Sequence, residues 1–158
     1  MAELAERSGE LIRPYFGASE LEVDVKADQS IVTKADRDAE ALMREMIGRK
    51  FPEHGILGEE YGEERGDAEF VWVLDPIDGT ISFASASPLF GTLIALMHNG
   101  QPVLGCIHQP VLRQMLIGDN GTSTLNGRRV TVRDERPLGE ATLLATDVVD
   151  VAKHQDGG

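Results

Sequence analysis

The sequence predicts an α+β fold, with two N-terminal helices packed on a largely antiparallel sheet, and three observations lead there. Apolar residues recur at helical spacing only in the first fifty positions, short apolar runs of strand length follow, and Asn-Gly pairs separate some of those runs. Helices first and hairpin-linked strands afterwards is an α+β order. The 158 residues are enough for one domain with a buried core, and the expectation is a single domain over 1–158.

The first helix carries Leu4, Leu11, Ile12 and Tyr15. Next, Leu21-Glu22-Val23-Asp24-Val25-Lys26 alternates apolar and polar residues, which predicts a half-buried strand. The second helix carries Ala39, Leu42, Met43, Met46 and Ile47 at spacings of three and four, and Pro52 ends it. Thr33-Lys34-Ala35-Asp36 opens that helix with capping-box spacing, Asp36 standing at the third helical position. Sequence physics alone favours a capping role for Asp36. Gly55 to Leu57, Phe70 to Leu74, Thr92 to Met97 and Val103 to Ile107 then read as strands. Asn99-Gly100 predicts an antiparallel hairpin between the last two, and Asn126-Gly127 a further turn.

Charge narrows the function classes. The net charge is −12, and residues 1–70 hold 9 basic and 18 acidic residues, whereas Gly79 to Leu112 contains no Asp, Glu, Lys or Arg. So acidic a chain is a poor partner for nucleic acid or an anionic membrane, and divalent cations suit it better. Met1 to Glu10 has three Glu and one Arg without an apolar run, and no stretch approaches the roughly 18 apolar residues of a membrane span, so neither a secretory signal nor a transmembrane segment is expected. The single Cys106 cannot form an intrachain disulfide, and a cytoplasmic location is expected. Cys106 lies in an apolar strand pattern and reads as buried, Trp72 reads as a core anchor, and no His has the i,i+4 partner of a zinc helix.

The stretch richest in chemistry is Trp72-Val73-Leu74-Asp75-Pro76-Ile77-Asp78-Gly79-Thr80. An apolar strand runs into two carboxylates three residues apart, with Pro76 stiffening a turn between them. Gly79 permits close backbone approach, and a helix starting at Thr80 would leave N–H groups free to face a phosphate. Carboxylates for hard cations beside amides for phosphate make one coherent site. Gly58-Glu59-Glu60 places another carboxylate at a strand end; alone it reads as a solvated charged loop, and beside Asp75 and Asp78 as a second ligand arm.

In this order, Ile31-Val32-Thr33-Lys34-Ala35-Asp36, Gly58-Glu59-Glu60 and Asp75-Pro76-Ile77-Asp78-Gly79-Thr80 resemble the inositol monophosphatase family of magnesium-dependent small-molecule phosphatases. The wording around them, including Ala27-Asp28-Gln29 and Leu89-Phe90-Gly91-Thr92, is most similar to the histidinol-phosphatase branch, an activity of histidine biosynthesis. The resemblance implies the first part of a layered α/β sugar-phosphatase fold, a small phosphorylated metabolite as substrate, two or more Mg²⁺ ions with Mn²⁺ as an alternative, and a homodimer. It implies that Glu59, Asp75 and the Ile77 carbonyl hold one cation and that Asp75 bridges to a second shared with Asp78. It further implies that Asp36 and Thr80 orient and deprotonate the attacking water, while the Gly79 and Thr80 amides hold phosphate oxygens. Three departures stand out. Ile81 occupies a position where that branch usually has Lys, Ile31 stands where it often has Pro, and Ala84-Ser85-Ala86-Ser87 replaces a glycine-bearing loop. The family also continues further, through a Trp-Asp motif that completes the second cation's ligands. No Trp-Asp pair occurs here, so an incomplete domain ending in a flexible Asp156-Gly157-Gly158 is the expectation. Histidinol phosphate is the first substrate expected, inositol monophosphate or another sugar phosphate the second, and a catalytically inactive, metal-binding remnant the alternative of another class.

Overall fold

The computed structural model describes residues 1–26 and 30–142; Ala27-Asp28-Gln29 and Asp156-Gly157-Gly158, both noted above, lie outside the described residues. The chain runs α1 (Ala2–Ile12), β1 (Val23–Val25), β2 (Ile31–Thr33), α2 (Lys34–Lys50), β3 (Gly55–Gly58), β4 (Gly62–Glu64), β5 (Phe70–Asp78), α3 (Thr80–Ala84), β6 (Gly91–His98), β7 (Gln101–Gln109), β8 (Gln114–Asp119), β9 (Ser123–Leu125) and β10 (Arg128–Arg129). Eight strands form one sheet in the order β10-β9-β8-β7-β6-β5-β3-β4. Only β3 and β5 run parallel, Gly55 opposite Val71 and Gly58 opposite Leu74, and every other neighbour is antiparallel. The α+β class with a largely antiparallel sheet is what the sequence predicts.

Both helices pack on one face of this sheet. Leu4, Ala5, Met43 and Ile47 meet Ile56, Trp72, Leu74, Ile94 and Cys106 in one apolar cluster, and Ile12, Ala35 and Ala39 meet Ile77, Phe83 and Phe90 in another. Trp72 is a core anchor as expected, its Nε1 donating to His54 Nδ1 at 3.1 Å. Cys106 is buried, and burial pushes its thiol up to about 11, which leaves it unreactive. On the opposite face Val73, Leu93, Ala95, Ile107 and Leu116 line an apolar groove of about 500 Å³. Among the described residues no helix is long and apolar enough to cross a membrane.

Three local expectations change. The first helix stops at Ile12, and Tyr15 belongs to a 3-10 turn, Arg13–Tyr15. Pro14 has no N–H with which to continue the α-helical ladder. The Leu21–Lys26 strand shrinks to β1, which among the described residues pairs only with the three-residue β2, Val23 opposite Thr33. Val23 and Val25 are 45% and 64% exposed, so the alternation marks a two-stranded ribbon rather than a half-buried strand. The Asp75–Asp78 segment is no turn either: β5 continues through Asp78, with an irregularity in its pairing to β6 between those two residues. Pro76 cannot donate to the ladder, and a bulge is where a strand tolerates that.

Candidate active site

The site is built where β3 ends beside the continuing strand β5. Their parallel register sets Gly58 beside Leu74, and the Glu59 N–H donates to the Leu74 carbonyl at 3.1 Å. The residue after each strand partner, Glu59 on one and Asp75 on the other, therefore emerges at one edge. The bulge then turns the backbone so that Asp78 adds its charge to the same cluster, and Thr92 fixes the distortion from β6, its buried hydroxyl donating to the Pro76 carbonyl at 2.8 Å.

Asp75 is the most perturbed of these groups. Burial, the neighbouring Glu59 carboxylate and the Asp78 charge together push its carboxyl up to about 8. Its Oδ1 is buried with no hydrogen-bond partner. A carboxylate oxygen left unsatisfied among other carboxylates is a costly arrangement that a hard divalent cation relieves, so this donor set fits Mg²⁺ or Mn²⁺. Among the described residues no three His, Cys, Asp or Glu side chains converge as a completed metal-binding group. Glu59 instead gives an oxygen to Lys26 Nζ at 3.0 Å, and the same ammonium reaches Glu60 at 2.7 Å.

Asp36 sits at the start of α2 and is buried. It forms the capping box read from the sequence: Thr33 donates both its N–H, at 2.8 Å, and its hydroxyl to Asp36 Oδ2. Both bonds fall on one oxygen and leave Oδ1 outside the cap. Burial pushes the Asp36 carboxyl up against the opposing pull of those bonds, and the Glu59 charge adds to the rise, which ties Asp36 electrostatically to the site.

Gly79 adopts φ +86°, and a Cβ there would meet the Leu89 carbonyl at 2.9 Å, so only glycine fits. Thr80 begins α3, and its hydroxyl donates to the Ile77 carbonyl at 3.0 Å. Glu59, Gly79 and Thr80 share a cavity of about 290 Å³ with Ser30, Ile31, Ile81 and Ser82. The structure thus brings the sequence-derived candidates Asp36, Glu59, Asp75, Ile77, Asp78, Gly79 and Thr80 into one neighbourhood.

Two residues that sequence reasoning passed over hold this site in place. Glu40 is fully buried; its carboxylate accepts the Glu60 N–H at 2.7 Å, the Tyr61 N–H at 3.2 Å and Arg44 Nε at 2.8 Å. Arg44 continues to the Gly62 carbonyl. Gly58 makes this possible, because a Cβ there would fall 1.9 Å from Glu40 Oε1. The signal available in the sequence was Glu40 itself, a charge on the apolar stripe of α2, one residue after Ala39. Lys26 is the other, and its only signal in the sequence is its place directly before Ala27-Asp28-Gln29.

Comparison with known proteins places these features. Residues 1–157 match the inositol monophosphatase family. The chain is 47% identical over 146 residues to the bifunctional phosphatase IMPL2 of Arabidopsis thaliana, covering 90% of this chain and 42% of that protein. It is 40% identical over 146 residues to the histidinol-phosphatase of Chlorobaculum parvum, covering 92% and 56%. The solved inositol monophosphatase of Zymomonas mobilis superposes with a TM-score of 0.72 at 45% identity, over 85% of this chain and 52% of that one. The chain spans about half the length of the curated relatives it matches. On motif, fold and site together, the chain belongs to the inositol monophosphatase family.

Proposed function

We propose that this chain carries the cation- and phosphate-binding part of a Mg²⁺-dependent phosphomonoesterase acting on a small phosphorylated metabolite, with histidinol phosphate the first candidate substrate. The observation that carries this reading is Asp75, buried against Glu59 with an unsatisfied oxygen, immediately ahead of the Gly79–Thr80 cradle. Glu59, Asp75, Asp78 and the Ile77 carbonyl are the residues that would hold two or more Mg²⁺ or Mn²⁺ ions, and these ions would supply Lewis acidity toward the attacking and leaving oxygens. Asp36 Oδ1 and the Thr80 hydroxyl orient a water and take its proton, and the Gly79 and Thr80 N–H groups bind phosphate oxygens. The hydroxyl of Thr80 is held by its hydrogen bond to the Ile77 carbonyl, one of the groups that would hold a cation.

The substrate preference follows from charge and kinship. The cavity wall beside Thr80 is Ile31, Ile81 and Ser82, and among the described residues no Lys or Arg lines it to attract a second anionic group. An amine-bearing alcohol suits the acidic surroundings better than a bisphosphate. Relatives named histidinol-phosphatase are 40% and 42% identical, whereas those named fructose-1,6-bisphosphatase/inositol-1-monophosphatase are 30% and 32% identical. Inositol monophosphate and other sugar phosphates remain the second choice of substrate. A cytoplasmic homodimer, with the relatives' remaining length completing the domain, is part of the same proposal.

A second reading is a metal-binding chain without turnover. Turnover assays with histidinol phosphate, inositol 1-phosphate and an aryl phosphate, across a Mg²⁺ series, test both. Faster turnover of histidinol phosphate supports the first proposal. Mg²⁺ binding without turnover of any ester, in this chain and in one extended to the relatives' full length, overturns it in favour of the second.

A further inference from the structure

A second cavity, of about 590 Å³, lies between α1 and the β7–β9 part of the sheet and shares no residue with the acidic site; Glu6, Arg13, His108, Arg113 and Thr124 are on its walls. Its volume is that of a small-metabolite site. Its charge is unusual for this chain, whose net charge is −12. Several cations elsewhere are matched to carboxylates, as in Lys34–Asp38, Arg37–Asp24 and Arg44–Glu40, although among the described residues the exposed Arg128, Arg129 and Arg133 are not. Among the described residues, Arg13 and Arg113 form no ion pair.

The backbone holds Arg113 in place at a conformational cost. Its φ is +54°, a left-handed conformation that favours Gly or Asn, in the connection between β7 and β8. Asn126 clamps this turn, donating from Nδ2 to the Arg113 carbonyl at 3.0 Å and accepting the Met115 N–H at 2.8 Å. The opposite wall is α1 with the 3-10 turn that follows it, the helix contributing Glu6 and the turn Arg13. His108 closes the inner wall, 5% exposed, with its Nδ1 lacking a hydrogen-bond partner, and its ring lies so near Gly9 that a Cβ there would sit 2.5 Å from Cε1. Two unneutralised guanidiniums beside an incompletely satisfied polar wall form a receptor for an oxyanion, because guanidinium forks match carboxylate and phosphate geometry.

We propose that this cavity binds a small molecule through one phosphate or carboxylate group held by Arg13 and Arg113, independently of the acidic site. Glu6 on the same wall selects against polyanions and favours a neutral or amine-bearing body.

The test is NMR titration of the ¹⁵N-labelled chain with inorganic phosphate and, separately, with acetate, in chelator without divalent cation. Under that condition the cluster of Asp36, Glu59, Asp75 and Asp78 repels anions, so the response reads this cavity and does not depend on the phosphatase proposal. Saturable shifts at the Arg13, Arg113 and Asn126 amides are expected. Losing one charge-assisted hydrogen bond predicts affinity about tenfold or more weaker in Arg113→Gly and in Arg13→Gln. Glycine accepts the Arg113 backbone, so Arg113→Gly keeps or raises the melting temperature. Response to both anions identifies a general oxyanion site and response to phosphate alone a phosphate site; either supports the proposal. No saturable shift with either anion, or binding unchanged in both variants, overturns it.

Discussion

Replacing Gly58 by alanine places a methyl group 1.9 Å from Glu40 Oε1 and 2.8 Å from Arg44 Nη2, so the buried carboxylate has to move. It would give up hydrogen bonds from the Glu60 and Tyr61 N–H groups and from Arg44 Nε. Bonds to a charged group contribute about 1.5–3 kcal/mol each, and with partial recovery by solvent and Arg44 a loss of about 3 kcal/mol is expected. In a chain of this size that lowers the melting temperature by about 6–12 °C. The same movement releases the Glu59–Tyr61 segment, so affinity for Mn²⁺ falls as well. Urea denaturation and calorimetric Mn²⁺ titration read the two effects. A double-mutant cycle with Glu40→Ala isolates the cause: once the carboxylate is gone, Gly58→Ala should cost well under 1 kcal/mol more. Strictly additive losses, or a Gly58→Ala protein with unchanged stability, would refute the account of why glycine precedes the two glutamates.

Further expectations concern the site itself. Asp75 holds its proton in the folded protein up to about pH 8, whereas an unfolded carboxylate releases it near pH 4, so the metal-free protein loses stability as pH rises through that window. Asp75→Asn should flatten that slope and raise metal-free stability at pH 8 by on the order of 1–3 kcal/mol, allowing for screening; urea melts at pH 5 and 8 that keep the wild-type slope would contradict it. In a version extended to the relatives' full length, Thr80→Ala lowers kcat far more than it raises KM, and steady-state kinetics showing only a KM change would remove Thr80 from the reaction. Asp36→Asn should lower kcat in the same way and also cost about 1 kcal/mol of stability, whereas a pure cap would show the stability loss alone. Turnover by the 158-residue chain should be about a thousandfold below that of the extended version, because several kcal/mol of transition-state stabilisation would be missing; comparable kcat/KM values would show that the ligands named here suffice.

The helices, the central strands and the candidate site were legible in the sequence because each rests on local chemistry. Met43 and Ile47 mark a helix by spacing, and Asp75-Pro76-Ile77-Asp78-Gly79 marks the proposed cation and phosphate site by composition. What escaped depends on tertiary surroundings. Val23 and Val25 alternate with polar residues as a buried strand does, but only packing reveals that no layer lies beneath β1 among the described residues. The run through Pro76 reads as a turn because proline breaks a ladder, and the partner strand β6 with Thr92 is what keeps it in the sheet as a bulge. Strand β8 was missed because Gln114 to Asp119 mixes polar and apolar residues, and it forms through its long register with β7, Gln109 opposite Gln114 to Leu104 opposite Asp119. Glu40 stands out in the sequence only as a charge on the apolar stripe of α2, and its partners appear once the chain brings Gly58, Glu60 and Tyr61 against it.

Calorimetric titration of Mg²⁺ and Mn²⁺ into the wild-type chain, Asp75→Asn and Asp78→Asn tests the central claim most directly. If Asp75 bridges two cations and Asp78 reaches one, the wild type binds weakly but saturably, Asp78→Asn binds more weakly, and Asp75→Asn loses the most affinity. Equal losses in the two variants would contradict the bridging role. An Asp75→Asn isotherm identical to that of the wild type would contradict the site as a whole.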